Sequence, residues 1–200
     1  MLLYGAGGHA RVVISILTAQ NQLLMAVFDD DPTRKTVAGI SIIGAYNPDF
    51  QPECSLLLAV GDNAIRCRLA QLVTHSFGKA VHPSAIVDSS VVIGAGTVLV
   101  HRAVVQANAR LGQHVIVNTG ALVDHDCVLD NFVQVAPGAV LCGNVRVGEG
   151  TLVGAGAVVV PGIQMGRWAV VGAGAVVTRN VPDGAVVWGN PAQIIRFLAV

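Results

Sequence analysis

Residues 85–180 read AIVDSS VVIGAG TVLVHR AVVQAN ARLGQH VIVNTG ALVDHD CVLDNF VQVAPG AVLCGN VRVGEG TLVGAG AVVVPG IQMGRW AVVGAG AVVTRN, sixteen hexads in one unbroken phase. The third column is aliphatic in every hexad, from Val87 through Val123 and Leu141 to Val177, with Met165 the single unbranched member. The first column is mostly small, and columns four to six collect Gly, Asp, Asn and Pro, the residues that turns select. Positions one and three of a strand share a face. Each hexad is therefore a short strand that buries one small and one branched side chain and then turns. Such a strand cannot bury its face alone, but stacked on its neighbours it builds a continuous aliphatic column. Hexapeptide repeats of this kind predict a parallel β-helix, and the regularity, with Gly or Asn in the turns where left-handed backbone is needed, points to a triangular prism. Three hexads make one coil of eighteen residues. An ordinary β-sandwich would leave sixteen in-phase matches without a cause.

Composition agrees. The 200 residues are 53% hydrophobic but only 12% charged and 4% aromatic, so the core is made of many small similar layers. Abundant apolar surface with zero formal charge is the opposite of a disordered chain. Lysine occurs only at Lys35 and Lys79, which leaves no electrostatic footprint for nucleic acid or an anionic membrane. No apolar run approaches the roughly 20 residues of a membrane span, and the N-terminus lacks a secretory signal pattern, so a cytoplasmic location is expected. Cys54, Cys67, Cys127 and Cys142 are widely spaced, which argues against a disulfide framework or a structural zinc site, and no metal site is expected.

Residues 1–80 form a separate module ahead of the prism at 81–200. The strand Leu2–Tyr4 runs straight into Gly5-Ala6-Gly7-Gly8-His9-Ala10 and a helix over residues 11–19. Further strands are expected at Met25–Phe28, ending in Asp29-Asp30-Asp31, and at Leu56–Val60, ending in Gly61-Asp62-Asn63, with a helix over 64–75. Alternating strands and helices predict a small Rossmann-like βαβαβ domain with a parallel sheet. Gly5, Gly7 and Ala10 satisfy G-x-G-x-x-G/A, and Asp29 stands where an acid would meet a ribose hydroxyl. Only one βαβαβ half fits, so the nucleotide diphosphate of a nucleotide sugar suits the space better than NAD.

Among six histidines, His125 is set apart by its neighbours, Asp124 and Asp126. It lies in the fifth column, on a turn, and so does not face the core. A carboxylate bonded to one imidazole nitrogen raises the basicity of the other, which suits a general base for a nucleophile attacking a thioester. His101 and His114 also fall on prism turns and are expected at the surface; His75 and His82 lie at the domain junction without an evident partner. Ala155 and Ala173 differ by one coil and stack on one edge, whereas the hexad index of His125 places it on another. A site using both edges would be assembled between two subunits. Asn118 is either a polar contact or a turn cap.

Taken together, the Gly-rich start, the F-x-D-D second strand, the A-x-G-x-N third strand and the hexapeptide prism resemble the left-handed β-helix sugar acetyltransferases. Within that group they are similar to the PglD-type UDP-4-amino-sugar N-acetyltransferases and the NeuD-type sialic acid O-acetyltransferases. The likeness extends through Gly189-Asn190-Pro191-Ala192. It implies a homotrimer with sites between subunits, no bound cofactor, acetyl-CoA as co-substrate and a UDP-amino sugar as acceptor. By motif, Gly7, Gly8, His9, Asp29, Asp30, Gly61 and Asn63 would contact the nucleotide sugar, with Asn118 a further candidate. His125 would be the base and Asp126 its orienting acid. Gln134, Gly143, Ala155 and Ala173 would line the acetyl-CoA site, Gly143 by leaving room beside His125. Relatives often carry histidine where this chain has Gln134, which can donate a hydrogen bond but cannot titrate. O-acetylation of a sialic-type sugar and a non-catalytic nucleotide-sugar-binding trimer are the alternatives.

Overall fold

The computed structural model describes residues 1–198, and among them both expected units are present, although between the second and third strands of the N-terminal sheet residues 29–55 hold a two-stranded ribbon where the expected βαβαβ order would place a helix. The N-terminal unit contains β1 (Leu2–Tyr4), α1 (Gly8–Ala19), β2 (Ala26–Phe28), a short antiparallel ribbon of β3 (Thr36–Val37) and β4 (Ile40–Ser41), β5 (Leu56–Leu58) and α2 (Asn63–Leu72). The main sheet is parallel in the order β2-β1-β5. All nine residues of its strands are buried, the pattern of a sheet covered on both faces. One face carries Phe28, packed against Tyr46 and Phe50. Against the other lies α1, whose Ala10, Val13, Ile14 and Leu17 recur at helical spacing. That apolar cluster runs on into Ala80, Val98 and Val100 on the outer face of the prism's first coils, so the two units pack through a shared apolar seam beside the prism's own interior column.

The prism comprises seventeen two-residue strands, β6 (Ala80–Val81) through β22 (Val176–Val177), stacked in three parallel ladders. Pairing is offset by eighteen residues throughout, as in Val104 with Leu122 and Val105 with Val123. Wall A holds β6, β9, β12, β15, β18 and β21; wall B holds β7, β10, β13, β16, β19 and β22; wall C holds β8, β11, β14, β17 and β20. From Leu99 to Val177 the third column is essentially sealed, and most of the first column, from Ala103 to Ala175, is fully buried. The prism's first rung, Ala80–Val81, precedes the hexads that the sequence phase delimits at Ala85. At the other end β23 (Ala185–Gly189) extends wall A and folds back into β24 (Ala192–Phe197) through the cis Asn190–Pro191 bond.

From Gly96 to Gly174 the sixth column turns the chain at each corner with positive φ, and Gly and Asn fill it often. At the corner from wall C to wall A it instead holds His114, Phe132 and Trp168, at φ of 56°, 61° and 53°. Bulky residues there carry about 1–2 kcal/mol of backbone strain each. Two of the rings are accommodated by glycine one coil earlier: a Cβ on Gly96 would collide with the His114 ring, and one on Gly150 with the Trp168 ring. This aromatic edge is the one the N-terminal unit sits on. Phe77 meets His114 edge-on at 4.3 Å between centroids, and His114 stacks on Phe132 at 5.1 Å. His114 is thus buried, contrary to the surface position expected from its turn, because the docked unit covers that corner. His75 is likewise buried and bonded, to the Tyr46 hydroxyl at 2.7 Å and the Phe50 carbonyl at 3.0 Å.

Candidate active site

The turn between β13 (Leu122–Val123) and β14 (Val128–Leu129) carries Asp124, His125 and Asp126 on the corner joining walls B and C. Coil-to-coil hydrogen bonds fix its backbone: the Asp126 N–H donates to the Ala107 carbonyl at 3.0 Å, and the Asn144 N–H to the His125 carbonyl at 2.9 Å. The two acids divide their work. Asp124 accepts the His125 backbone N–H at 2.8 Å, while Asp126 Oδ2 lies 2.8 Å from imidazole Nδ1. Asn108, one coil earlier, donates to the other Asp126 oxygen at 3.3 Å. With Nδ1 held by the carboxylate, Nε2 is the nitrogen left to accept a proton. The Asp126 hydrogen bond, followed by the negative charge of Asp124, holds the imidazole above the usual histidine pKa, and the same bond holds the Asp126 carboxyl below its own. The ring lies against Gly143, where a Cβ would come within 2.5 Å of Nε2, so glycine leaves the imidazole its place. Beside it on wall C opens a groove of about 690 Å³, bordered by Ser90, Asn108, Asp126 and Asn144 and floored by Arg110, Val128 and Arg146.

A second concavity, about 520 Å³ and mostly apolar, lies between the N-terminal unit and wall A. Gly61, Asp62, Asn63 and Ala64 form one side; Gln134, Leu152 and Val170, stacked in register on wall A, form the other, with Trp168 at the edge. The structure thus brings together Gly61, Asn63 and Gln134. Asn63 is also structural: its amide donates to the Gly150 carbonyl at 3.0 Å and its oxygen accepts from Arg66 at 2.9 Å.

Arg66 carries no local signal in the sequence, where it reads as one more polar residue of a surface helix. It is almost fully buried and ties the junction together, donating to the carbonyls of Val60, Gly61, His114 and Phe132 at 2.9–3.1 Å. Its charge, second to burial, also pushes His9 and His114 down to about 4, so both rings are neutral.

In the glycine loop Gly5 is needed sterically, at φ +110° with a Cβ that would strike Val60, whereas Gly8 faces open space at the start of α1. Gly7 caps that helix with extended backbone, and His9 follows beside Gly61. Asp29 is buried and already engaged: it accepts from the Ala6 N–H at 2.6 Å, the Asp31 N–H at 2.9 Å and Arg34 at 3.1 Å. Asp30 is exposed and accepts the Tyr4 hydroxyl at 2.6 Å. Ala155 and Ala173 stand exposed on the corner joining walls A and B, where the Gly174 N–H reaches the Ala155 carbonyl at 2.8 Å. Asn118 shares that corner and caps its turn by accepting the Thr119 N–H at 2.8 Å. The predicted residues therefore lie apart in one protomer, on two corners of the prism, on wall A and in the N-terminal unit, and His125 does not reach the cleft containing Gln134. Among the described residues no group of three or more His, Cys, Asp or Glu is placed to hold a metal, and no helix is long and apolar enough to cross a membrane.

A hexapeptide prism carrying an acid-held imidazole on one corner, with a glycine-loop α/β unit docked on another, defines a hexapeptide-repeat transferase. Residues 144–179 match the bacterial transferase hexapeptide model (six repeats), and residues 1–73 match the PglD N-terminal domain. Similar solved structures include a variant of GDP-perosamine N-acetyl transferase from Caulobacter crescentus in complex with CoA and GDP-perosamine, at 38% identity, TM-score 0.94, and 98% and 96% coverage of this chain and that one. The acetyltransferase domain of PglB from Neisseria gonorrhoeae is 38% identical with a TM-score of 0.90, covering 97% and 98%, and has also been solved with acetyl coenzyme A. UDP-N-acetylbacillosamine N-acetyltransferase of Bacillus subtilis is 40% identical over 107 residues, which span 48% of this chain and about half, 49%, of that relative. The chain belongs to the PglD-type hexapeptide-repeat sugar acetyltransferases.

Proposed function

We propose that the protein is an acetyl-CoA-dependent N-acetyltransferase acting on the amine of a UDP-linked 4-amino-4,6-dideoxy sugar, working as a homotrimer in the cytoplasm. The observation that carries the reading is the His125–Asp126 pair, with Nδ1 occupied and Nε2 free at the mouth of a groove. In the reaction, Nε2 takes the proton from the sugar amine as its nitrogen attacks the thioester carbonyl. Backbone N–H groups stabilise the resulting oxyanion. The tetrahedral adduct then collapses to the amide and expels the CoA thiolate, which regains a proton from the imidazolium.

His125 lies on one corner, and the cleft of Gly61, Asn63 and Gln134 lies across the prism. A complete site therefore takes His125 from one subunit and that cleft from its neighbour, with Ala155 and Ala173 guiding acetyl-CoA along the subunit boundary. Gly7, Gly8 and His9 receive the nucleotide end of the acceptor. Asp29 serves by holding that loop through Ala6, and Asp30 is positioned by Tyr4. The choice of uridine follows the Bacillus subtilis relative, while the Caulobacter crescentus relative is named for a GDP sugar.

The test is thiol release from acetyl-CoA with a panel of UDP- and GDP-linked amino and hydroxy sugars. His125→Ala should lower turnover on the preferred amine by about 10²–10⁴-fold while circular dichroism and oligomeric state stay unchanged. Near-parental turnover would remove His125 from the mechanism. A preference for hydroxyl acceptors would reassign the reaction to O-acetylation.

A further inference from the structure

The second column of the hexads points outward and is aliphatic or glutamine at every prism position but two. Those two are Arg110 and Arg146, both exposed, and both on wall C. They are the register partners of Val128 from either side, so each stands one coil from the strand that follows His125. At the usual strand spacing their Cα atoms are about 10 Å apart, and their guanidinium groups can close over the small Val128 side chain between them. Both line the groove that His125 and Asp126 border. Neither has an ion-pair partner among the described residues. Asp126 is occupied by His125 and Asn108, and Asp130 and Glu149, across the wall near Arg110, form no ion pair with it.

We propose that Arg110 and Arg146 form a pyrophosphate-binding pair that holds a substrate diphosphate in the groove beside His125. Two planar guanidinium forks flanking an apolar floor suit two adjacent phosphoryl groups, because each fork can take one bidentately. Two unpaired cations on an otherwise uncharged column, standing beside the base, are placed for a ligand rather than for solubility. The inference rests on the acetyltransferase reading, in which both substrates carry a pyrophosphate: the nucleotide sugar and CoA. The shared group is what the pair recognises.

The experiment uses the full chain and the double variant Arg110→Gln with Arg146→Gln, titrated calorimetrically with inorganic pyrophosphate, UDP, GDP and CoA. Oligomeric state is followed by light scattering. The expected result is that the double variant loses at least about tenfold in affinity for pyrophosphate and for one substrate family. The KM of that substrate should rise in step while kcat stays within about threefold, and whether the nucleotides or CoA weaken identifies the source. Affinities within twofold for all four probes would overturn the proposal, as would a parent chain that binds none of them. Dissociation of the oligomer by the double variant would also overturn it, assigning the arginines to subunit contacts. Because these titrations need no turnover, a failure of His125 as the base would show separately, in the thiol-release assay.

Discussion

His125 illustrates how one side chain is prepared by its neighbours. The Asp126 carboxylate lifts the imidazole pKa, so the neutral, proton-accepting form dominates only above the ordinary histidine range. For a base that must be neutral to work, kcat/KM should rise with pH along an acid limb lying above the ordinary histidine value of 6.5. Asp126→Asn removes the largest cause of the shift. Its acid limb should move to lower pH while its plateau drops, and a pH–rate profile of the two proteins would show both changes. A limb that stays in place would mean that a group other than His125 sets it. Asp126 itself sits at φ 60°, a conformation that Asp tolerates better than most residues. The geometry that aims its carboxylate at the ring is therefore the same one that turns the corner.

At the scale of the element, the prism is a stack of nearly identical rungs, and each rung depends on its two neighbours. Leu129, 1% exposed, lies in the aliphatic column beneath the wall that carries Val128 and the two arginines. Leu129→Ala should cost about 2–5 kcal/mol, the transfer term plus a cavity that the fixed coils cannot collapse, read as a lower urea midpoint with unchanged m-value. A loss well under 1 kcal/mol would mean that the coils close around the gap. The same regularity made this element legible from the repeat alone, since a period of six with two buried columns admits few other packings. The turns were less legible. Gly and Asn in the sixth column were expected, but Phe132 and Trp168 with positive φ follow only from the unit that docks on their corner.

For the whole molecule, the junction between the two units is the pH-sensitive part. His9 and His114 are held neutral with pKa values near 4, by burial first and the Arg66 charge second. Their native values lie below the unfolded value of 6.5, so between about pH 4 and 6.5 the unfolded chain binds more protons than the folded one. Stability should therefore be fully present above 6.5 and fall as the solution is acidified through that window, by up to about 1.4 kcal/mol per pH unit for each group. Denaturant titrations at several pH values would measure the slope. His114→Asn, which keeps a side chain suited to φ 56°, should flatten it; an unchanged slope would exonerate His114.

The amino-acid sequence by itself determined the prism, the glycine-loop unit ahead of it and the candidate base. Each rests on local patterns: a six-residue period, strand-loop-helix punctuation, and an imidazole flanked by acids. Only the tertiary structure decided that Asp29 is spent on the Ala6 and Asp31 N–H groups and Arg34, and that Gln134 faces Gly61 and Asn63 across a cleft. It alone made Arg66 a buried tie and His114 a covered aromatic. These facts depend on which face of one unit lies on which corner of the other, and docking is set by side chains far apart in the chain, where no period records it.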